Sequence, residues 1–156
     1  MTGTDQLTTG GCQCGAVRYA FTGKTINPSL CHCRMCQKAF GSYFAPLGGV
    51  KNENLTWTRG KPAIFQSSPV AERGFCAACG TPLTFRYIAD SDTNIALGSL
   101  DHPQNEIPVN AYGTESEMPW FDWLATLPAH ATETSTAPDR LAAITSFQHP
   151  DHDTDR

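Results

Sequence analysis

No run of roughly 18 apolar residues occurs in this sequence, which argues against a membrane-spanning helix. Met1 to Thr9 lacks a basic stretch followed by an apolar one, so no secretory leader is predicted. Charge is scarce: charged residues make up 17% of the chain, and the formal net charge is −4. That acidity, with aromatic residues at 10%, argues against a nucleic-acid partner. Internal repeats are absent, and cations are rare in Thr126 to Arg156, where Arg140 and Arg156 face five acidic residues. Without a leader the expected compartment is the cytoplasm. Closely spaced cysteines there bind metal or do chemistry rather than form disulfides.

Cysteine is what the chain does have. Its 156 residues, enough for one domain with its own core, carry seven cysteines. Cys31-His32-Cys33-Arg34-Met35-Cys36 packs three of them into six residues, bracketed by Cys12 and Cys14 upstream and Cys76 and Cys79 downstream. Between Arg18 and Arg86 there are nine basic residues against two acidic ones, so the cysteine-rich part is cationic and the tail anionic. Those cations offset thiolate charge or attract an anionic ligand.

The pattern along the chain predicts an all-β domain with short helical turns. Val17, Tyr19 and Phe21 alternate with Arg18 and Ala20, as in a half-buried strand. Ser42–Leu47 reads as a strand, with Pro46 marking an edge or a bulge. Further short strands are expected around Leu55 and Trp57, Ala63–Gln66, Glu72–Phe75, Leu83–Tyr87, Ile95–Leu97 and Val109–Tyr112. Asn27 and Pro28 mark a loop, and Cys31–Phe40 enters a helical turn stopped by Gly41. The expected organisation is a flexible lead-in over 1–10, a domain over 11–125, and an acidic Ala/Thr/Pro-rich tail over 126–156. Within the tail, Asp139–Phe147 reads as a short helix and His149–Arg156 as disordered. The aromatic cluster Met118–Leu124 is expected to close the core.

Four thiols suit a closed, tetrahedral structural zinc. In an extended segment Cys12 and Cys14 project to one side, and Cys76-Ala-Ala-Cys79-Gly80 forms a knuckle. A redox role for Cys76 and Cys79 is the alternative, although the strand–turn–helix setting of a redox motif is missing. The trio Cys31, Cys33 and Cys36 has no eighth cysteine to close it. Its fourth position falls to water or a ligand's thiol, unless a distant His or Asp completes a structural site. His32, turned away by the extended Cys-x-Cys, is expected to meet solvent or the surroundings of the ligands.

The sequence resembles the glutathione-dependent formaldehyde-activating enzyme (GFA) family, whose domain is shared with centromere-protein-V-like proteins. The resemblance lies in Gly11-Cys-Gln-Cys-Gly-Ala-Val17, Cys31-His-Cys-Arg-Met-Cys-Gln-Lys-Ala39 with Gly41-Ser42, and Gly60. It continues through Ser67-Ser68, Arg73-Gly-Phe-Cys-Ala-Ala-Cys-Gly80, Gly98-Ser-Leu-Asp101 and Pro119-Trp120. It implies a zinc-bound, two-sheet, β-tent-like single domain with structural zinc on Cys12, Cys14, Cys76 and Cys79. A catalytic zinc is implied on Cys31, Cys33 and Cys36. The implied activity is a carbon–sulfur lyase joining glutathione to formaldehyde or a related small aldehyde, as S-hydroxymethylglutathione synthase does. Glutathione binding at the trio would add negative charge, for which Arg34, Lys38 and Arg73 are the candidate cations. Asn110, where family members often carry His, and Thr114–Glu117, where they carry a Lys-containing turn, point to a different substrate pocket. A lyase acting on another glutathione adduct, or a zinc-stabilised binding module for protein or nucleic acid, are the rival readings.

Overall fold

The computed structural model describes residues 6–155, so the first half of the expected lead-in lies outside the described residues. Among the described residues ten strands run in chain order: β1 (Leu7–Gly11), β2 (Arg18–Thr22), β3 (Ile26–Cys31), β4 (Ala45–Lys51) and β5 (Thr56–Arg59). They continue as β6 (Ala63–Ser68), β7 (Ala71–Phe75), β8 (Pro82–Tyr87), β9 (Asp92–Ala96) and β10 (Asn110–Tyr112). A seven-residue helix, α1 (Arg34–Phe40), follows β3 and ends at Gly41 in the left-handed conformation, where sequence places its stop. The fold is mostly β, in two sheets.

The smaller sheet has the order β1-β2-β5 and is antiparallel. The larger has the order β10-β3-β4-β9-β8-β7-β6, antiparallel except where β10 runs parallel to β3. Tyr19 and Phe21 from the small sheet and Val50, Leu83 and Ile95 from the large one share a single buried cluster. Removing each of the larger side chains from water stabilises the fold by about 1.5–3 kcal/mol. The Trp57 ring packs edge-on against Tyr19, with centroids 5.8 Å apart. Cys12 and Cys76 belong to the same cluster, so one set of metal-type ligands is continuous with the core.

Three local expectations are revised. From Leu7 the lead-in is a strand, because its threonine-rich segment pairs with β2 from Leu7↔Thr22 to Gly11↔Arg18. Asn27 and Pro28 do not form a loop: they lie in β3, where a register shift between Ile26 and Ser29 absorbs the proline and the positive φ of Asn27 (49°). Pro46 sits in β4, an interior strand, but pairs only with Leu30 of β3, since pairing with β9 begins at Leu47. A residue without an N–H is thereby accommodated.

Arg18 also departs from simple alternation. It is 3% exposed, because its guanidinium donates to both Asp101 oxygens at 2.8 and 2.6 Å. Thr9 Oγ1 donates to the same carboxylate at 2.5 Å. The end of the chain reaches this place as well: Arg18 donates to Asp153 at 2.6 Å, and the His149 amide donates to the Gln13 carbonyl at 2.7 Å.

The chain divides into two compact units, one comprising residues 1–117 and 148–156 and the other residues 118–147. The second unit has a 3₁₀ run over Phe121–Thr126 and two short helices, α2 (Thr132–Ser135) and α3 (Pro138–Ala143). None of its residues is buried, those of Met118–Leu124 included, where the sequence led us to expect core residues. Trp123 is 69% exposed. Among the described residues no helix is long and apolar enough to cross a membrane.

Candidate metal centres

The outer thiols are gathered by two tight turns. After β1 the Cys12 amide donates to the Val17 carbonyl at 2.9 Å and the Gly15 amide to Cys12 O at 3.0 Å, with Gly15 at φ 75°. In the facing turn the Gly80 amide donates to Cys76 O at 2.8 Å and the Cys76 amide to Thr81 O at 2.9 Å. Cys12 and Cys14 sulfurs stand 3.6 Å apart, and those of Cys14 and Cys76 stand 3.8 Å apart. All four sulfurs lie within 4.8 Å of one another. Zinc–sulfur bonds of about 2.3 Å in a tetrahedron require sulfurs a little under ~4 Å apart, so the set fits zinc.

The surroundings of Cys79 favour its thiolate. The Val17 amide donates to Cys12 Sγ at 3.2 Å. Burial opposes ionisation of Cys79, yet the Thr81 hydroxyl and nearby amides outweigh it and bring the thiol down to about 6. Cys76 is pushed up, chiefly by burial. A divalent ion among the sulfurs reverses that penalty.

The inner trio is built where β3 passes into α1. Cys31 ends β3, Cys33 precedes the helix, and Cys36 lies in its first turn. Cys31 and Cys33 sulfurs are 3.4 Å apart, and all three lie within 4.8 Å of one another. No fourth His, Cys, Asp or Glu joins the group among the described residues. Cys36 is buried, whereas Cys31 and Cys33 are partly exposed, which leaves a side of the cluster accessible. Burial pushes Cys31 to about 12 and raises Cys36 against the pull of Arg73. For Cys33 burial is outweighed by hydrogen bonds from the Cys36 amide and the neighbouring thiols, and its thiol goes down. Three sulfurs of this kind suit a thiophilic ion such as zinc.

Of the three expected cations only Arg73 reaches the trio. It is 7% exposed on β7, donates Nη2 to Cys36 Sγ at 3.4 Å, and lies over the Phe85 ring at 4.8 Å. Arg34 is exposed and donates to Gln37 Oε1 at 2.8 Å, and Lys38 is exposed on α1. His32 is turned from the trio as expected, but it is wholly buried rather than solvated. Its Nε2 stands 3.3 Å from Glu117 Oε2, and its ring lies against Phe44. Ser67 and Ser68 serve the β6–β7 hairpin, where Ser68 Oγ accepts from the Val70 amide at 3.3 Å.

Sequence reasoning missed the residues that brace the trio from afar. Gln37 Nε2 donates to the His32 carbonyl at 2.7 Å and to Ser116 O at 2.9 Å, tying α1 to the turn after β10. Gly113, at φ 65°, lies so near that a Cβ there would stand 2.6 Å from the Cys33 amide nitrogen. The His32 amide donates to Tyr112 O at 2.8 Å. Thr114–Glu117 therefore adjoins the trio, whereas Asn110 is exposed and bonds Asn27 at 2.5 Å. A glycine among polar residues was the only signal available for Gly113.

The model of the glutathione-dependent formaldehyde-activating enzyme family matches residues 7–115, more than half of the sequence. This chain belongs to that family. The match spans all seven cysteines and the ten strands described, so both thiol clusters lie in the family's domain. The family acts in glutathione-dependent activation of formaldehyde, and its substrates are small molecules. A crystal structure of a Rhodobacter sphaeroides protein, a structural-genomics target, is similar in fold. Its TM-score is 0.54 at 20% identity, over 66% of this chain and 98% of that one. No curated protein matches this chain.

Proposed function

We propose that this chain is a zinc-dependent carbon–sulfur lyase that joins the thiol of glutathione to formaldehyde or a related small aldehyde. One observation carries the reading. The outer centre gathers four thiols and is closed, whereas the inner one gathers three with no fourth protein ligand beside it among the described residues. Cys31, Cys33 and Cys36 would hold the zinc, which would supply a thiophilic position able to stabilise a thiol as its thiolate.

The protein's own groups do the rest. Arg73 faces Cys36 from a buried position, so it offsets the negative charge of three thiolates and an incoming fourth. Partial exposure of Cys31 and Cys33 leaves an approach for a tripeptide. Gln37 and Gly113 fix the backbone on either side, so the three sulfurs keep their places while the ligand exchanges. In the addition the glutathione sulfur bonds to the carbonyl carbon, the carbonyl π pair moves to oxygen, and the thiol's proton ends on that oxygen. Nothing is oxidised, and the reverse reaction releases the aldehyde.

Cobalt substitution tests this reading. Thiolate-to-cobalt charge-transfer absorption is expected to intensify with glutathione and not with S-methylglutathione. Equal responses would show that the thiol is no ligand. No response to either would favour a zinc-stabilised binding module instead.

A further inference from the structure

Among the described residues, one polar atom beside the trio has no hydrogen-bond partner. Arg73 is nine-tenths buried; its Nη2 bonds Cys36, but among the described residues its Nη1 is buried without a hydrogen-bond partner. Leaving a buried donor of this kind unpaired costs about 1–3 kcal/mol, which calls for an acceptor that arrives with a ligand. Arg73 is also one wall of a cavity of about 270 Å³, whose other walls include Ala39, Phe40, Phe65, Phe75 and Pro82. Phe40 packs against the thiol cluster, and Phe65 is 61% exposed. The cavity is thus a largely apolar channel, open to solvent, that shares Arg73 and Phe40 with the surroundings of the thiol cluster. A water occupies about 30 Å³ of the liquid, and formaldehyde, with two heavy atoms, leaves most of such a space unfilled.

We propose that the aldehyde of this enzyme carries an apolar substituent of several carbons, seated in this channel, and that its carbonyl oxygen accepts a hydrogen bond from Arg73 Nη1. The proposal rests on the thiol-addition reading and narrows its substrate. As the carbon–sulfur bond forms, the carbonyl pair collects on oxygen beside a fixed guanidinium, an arrangement that stabilises developing negative charge. The proton released by the thiol finishes on that oxygen, and Arg73 stays charged throughout.

The zinc-loaded full chain is assayed with glutathione and either hexanal or formaldehyde, each rate constant divided by that of the uncatalysed addition. The normalised kcat/KM is expected to be at least tenfold higher for hexanal. Ala39→Trp, which fills the channel, is expected to lower the hexanal-to-formaldehyde ratio at least tenfold, and Arg73→Lys to lower kcat for both aldehydes with zinc content unchanged. Calorimetry supplies a readout apart from turnover: S-hexylglutathione is expected to bind at least tenfold tighter than S-methylglutathione. Equal affinities, binding of neither, or a ratio untouched by Ala39→Trp overturns the proposal. Activity on formaldehyde alone would leave the thiol-addition reading standing, whereas absence of glutathione-dependent turnover with both aldehydes would sink both.

Discussion

The two metal centres are expected to respond to the loss of one thiol in opposite ways, and the structure sets the sizes. Cys79→Ala opens the four-thiol centre, which joins the Cys12–Gly15 turn to the Cys76–Gly80 turn across 60 intervening residues. Structural zinc contributes about 10–16 kcal/mol to folding in small zinc domains, and a whole domain is stable by only about 5–15 kcal/mol. Losing most of that contribution would match or exceed the whole stability of an ordinary domain, so the variant is expected to unfold. Cys36→Ala removes one sulfur from a small satellite cluster with Ala45 and Leu47, costing about 1 kcal/mol in lost burial. It also strands Arg73 Nη2, at about 1–3 kcal/mol. The sum, about 2–4 kcal/mol, leaves the variant folded. Urea unfolding followed by circular dichroism, with elemental analysis of zinc, measures both. Wild type is expected to hold two zinc ions, Cys36→Ala to stay folded with one firmly bound, and Cys79→Ala to be unfolded or insoluble. If Cys36→Ala unfolds as completely as Cys79→Ala, the inner trio is structural and the catalytic reading fails.

Gly113→Ala forces a side chain into a left-handed backbone against the Cys33 amide, so a loss of about 2 kcal/mol is expected, with weaker metal retention at the inner trio and intact retention at the outer centre; metal competition with a chelator reports it. Burial opposes the charge on Asp101, but hydrogen bonds from Arg18 and Thr9 prevail and hold its pKa below the usual carboxylate value. Its stabilisation is therefore complete above the unfolded value, near ~4, and is lost as pH falls through the lower folded value. Asp101→Asn is expected to cost about 3 kcal/mol at pH 7, since Asp153 still pairs Arg18, and to flatten the acid limb of a stability–pH curve. Asp153 is 46% exposed, so Asp153→Ala is expected to cost under about 1 kcal/mol by thermal unfolding. The glutathione response of the cobalt protein is expected to survive that change.

Sequence by itself determined what local spacing can determine. Cys-x-Cys and Cys-x-x-Cys place neighbouring sulfurs within reach of one ion through a few fixed backbone bonds, so the trio and the two outer pairs follow without the fold, whereas the fold brings the two pairs to one site. Alternation of apolar residues disclosed most strands for the same reason, and Gly41 disclosed the end of α1. The exceptions depend on partners distant in the chain. Leu7–Gly11 became a strand because β2 was there to pair with it, and β3 kept its place despite Asn27 and Pro28 because a bulge absorbs them. Arg18 read as an outward residue until Asp101, 83 positions away, made its burial possible. The surroundings of the inner trio were decided entirely by tertiary structure. β10 returns parallel to β3 and sets Gly113, Ser116 and Glu117 beside Cys33, Gln37 and His32. β7 lays Arg73 against Cys36. Thiols name their metal through their own chemistry, whereas the cation and the apolar channel that would select a substrate exist only once strands far apart in sequence have been brought into register.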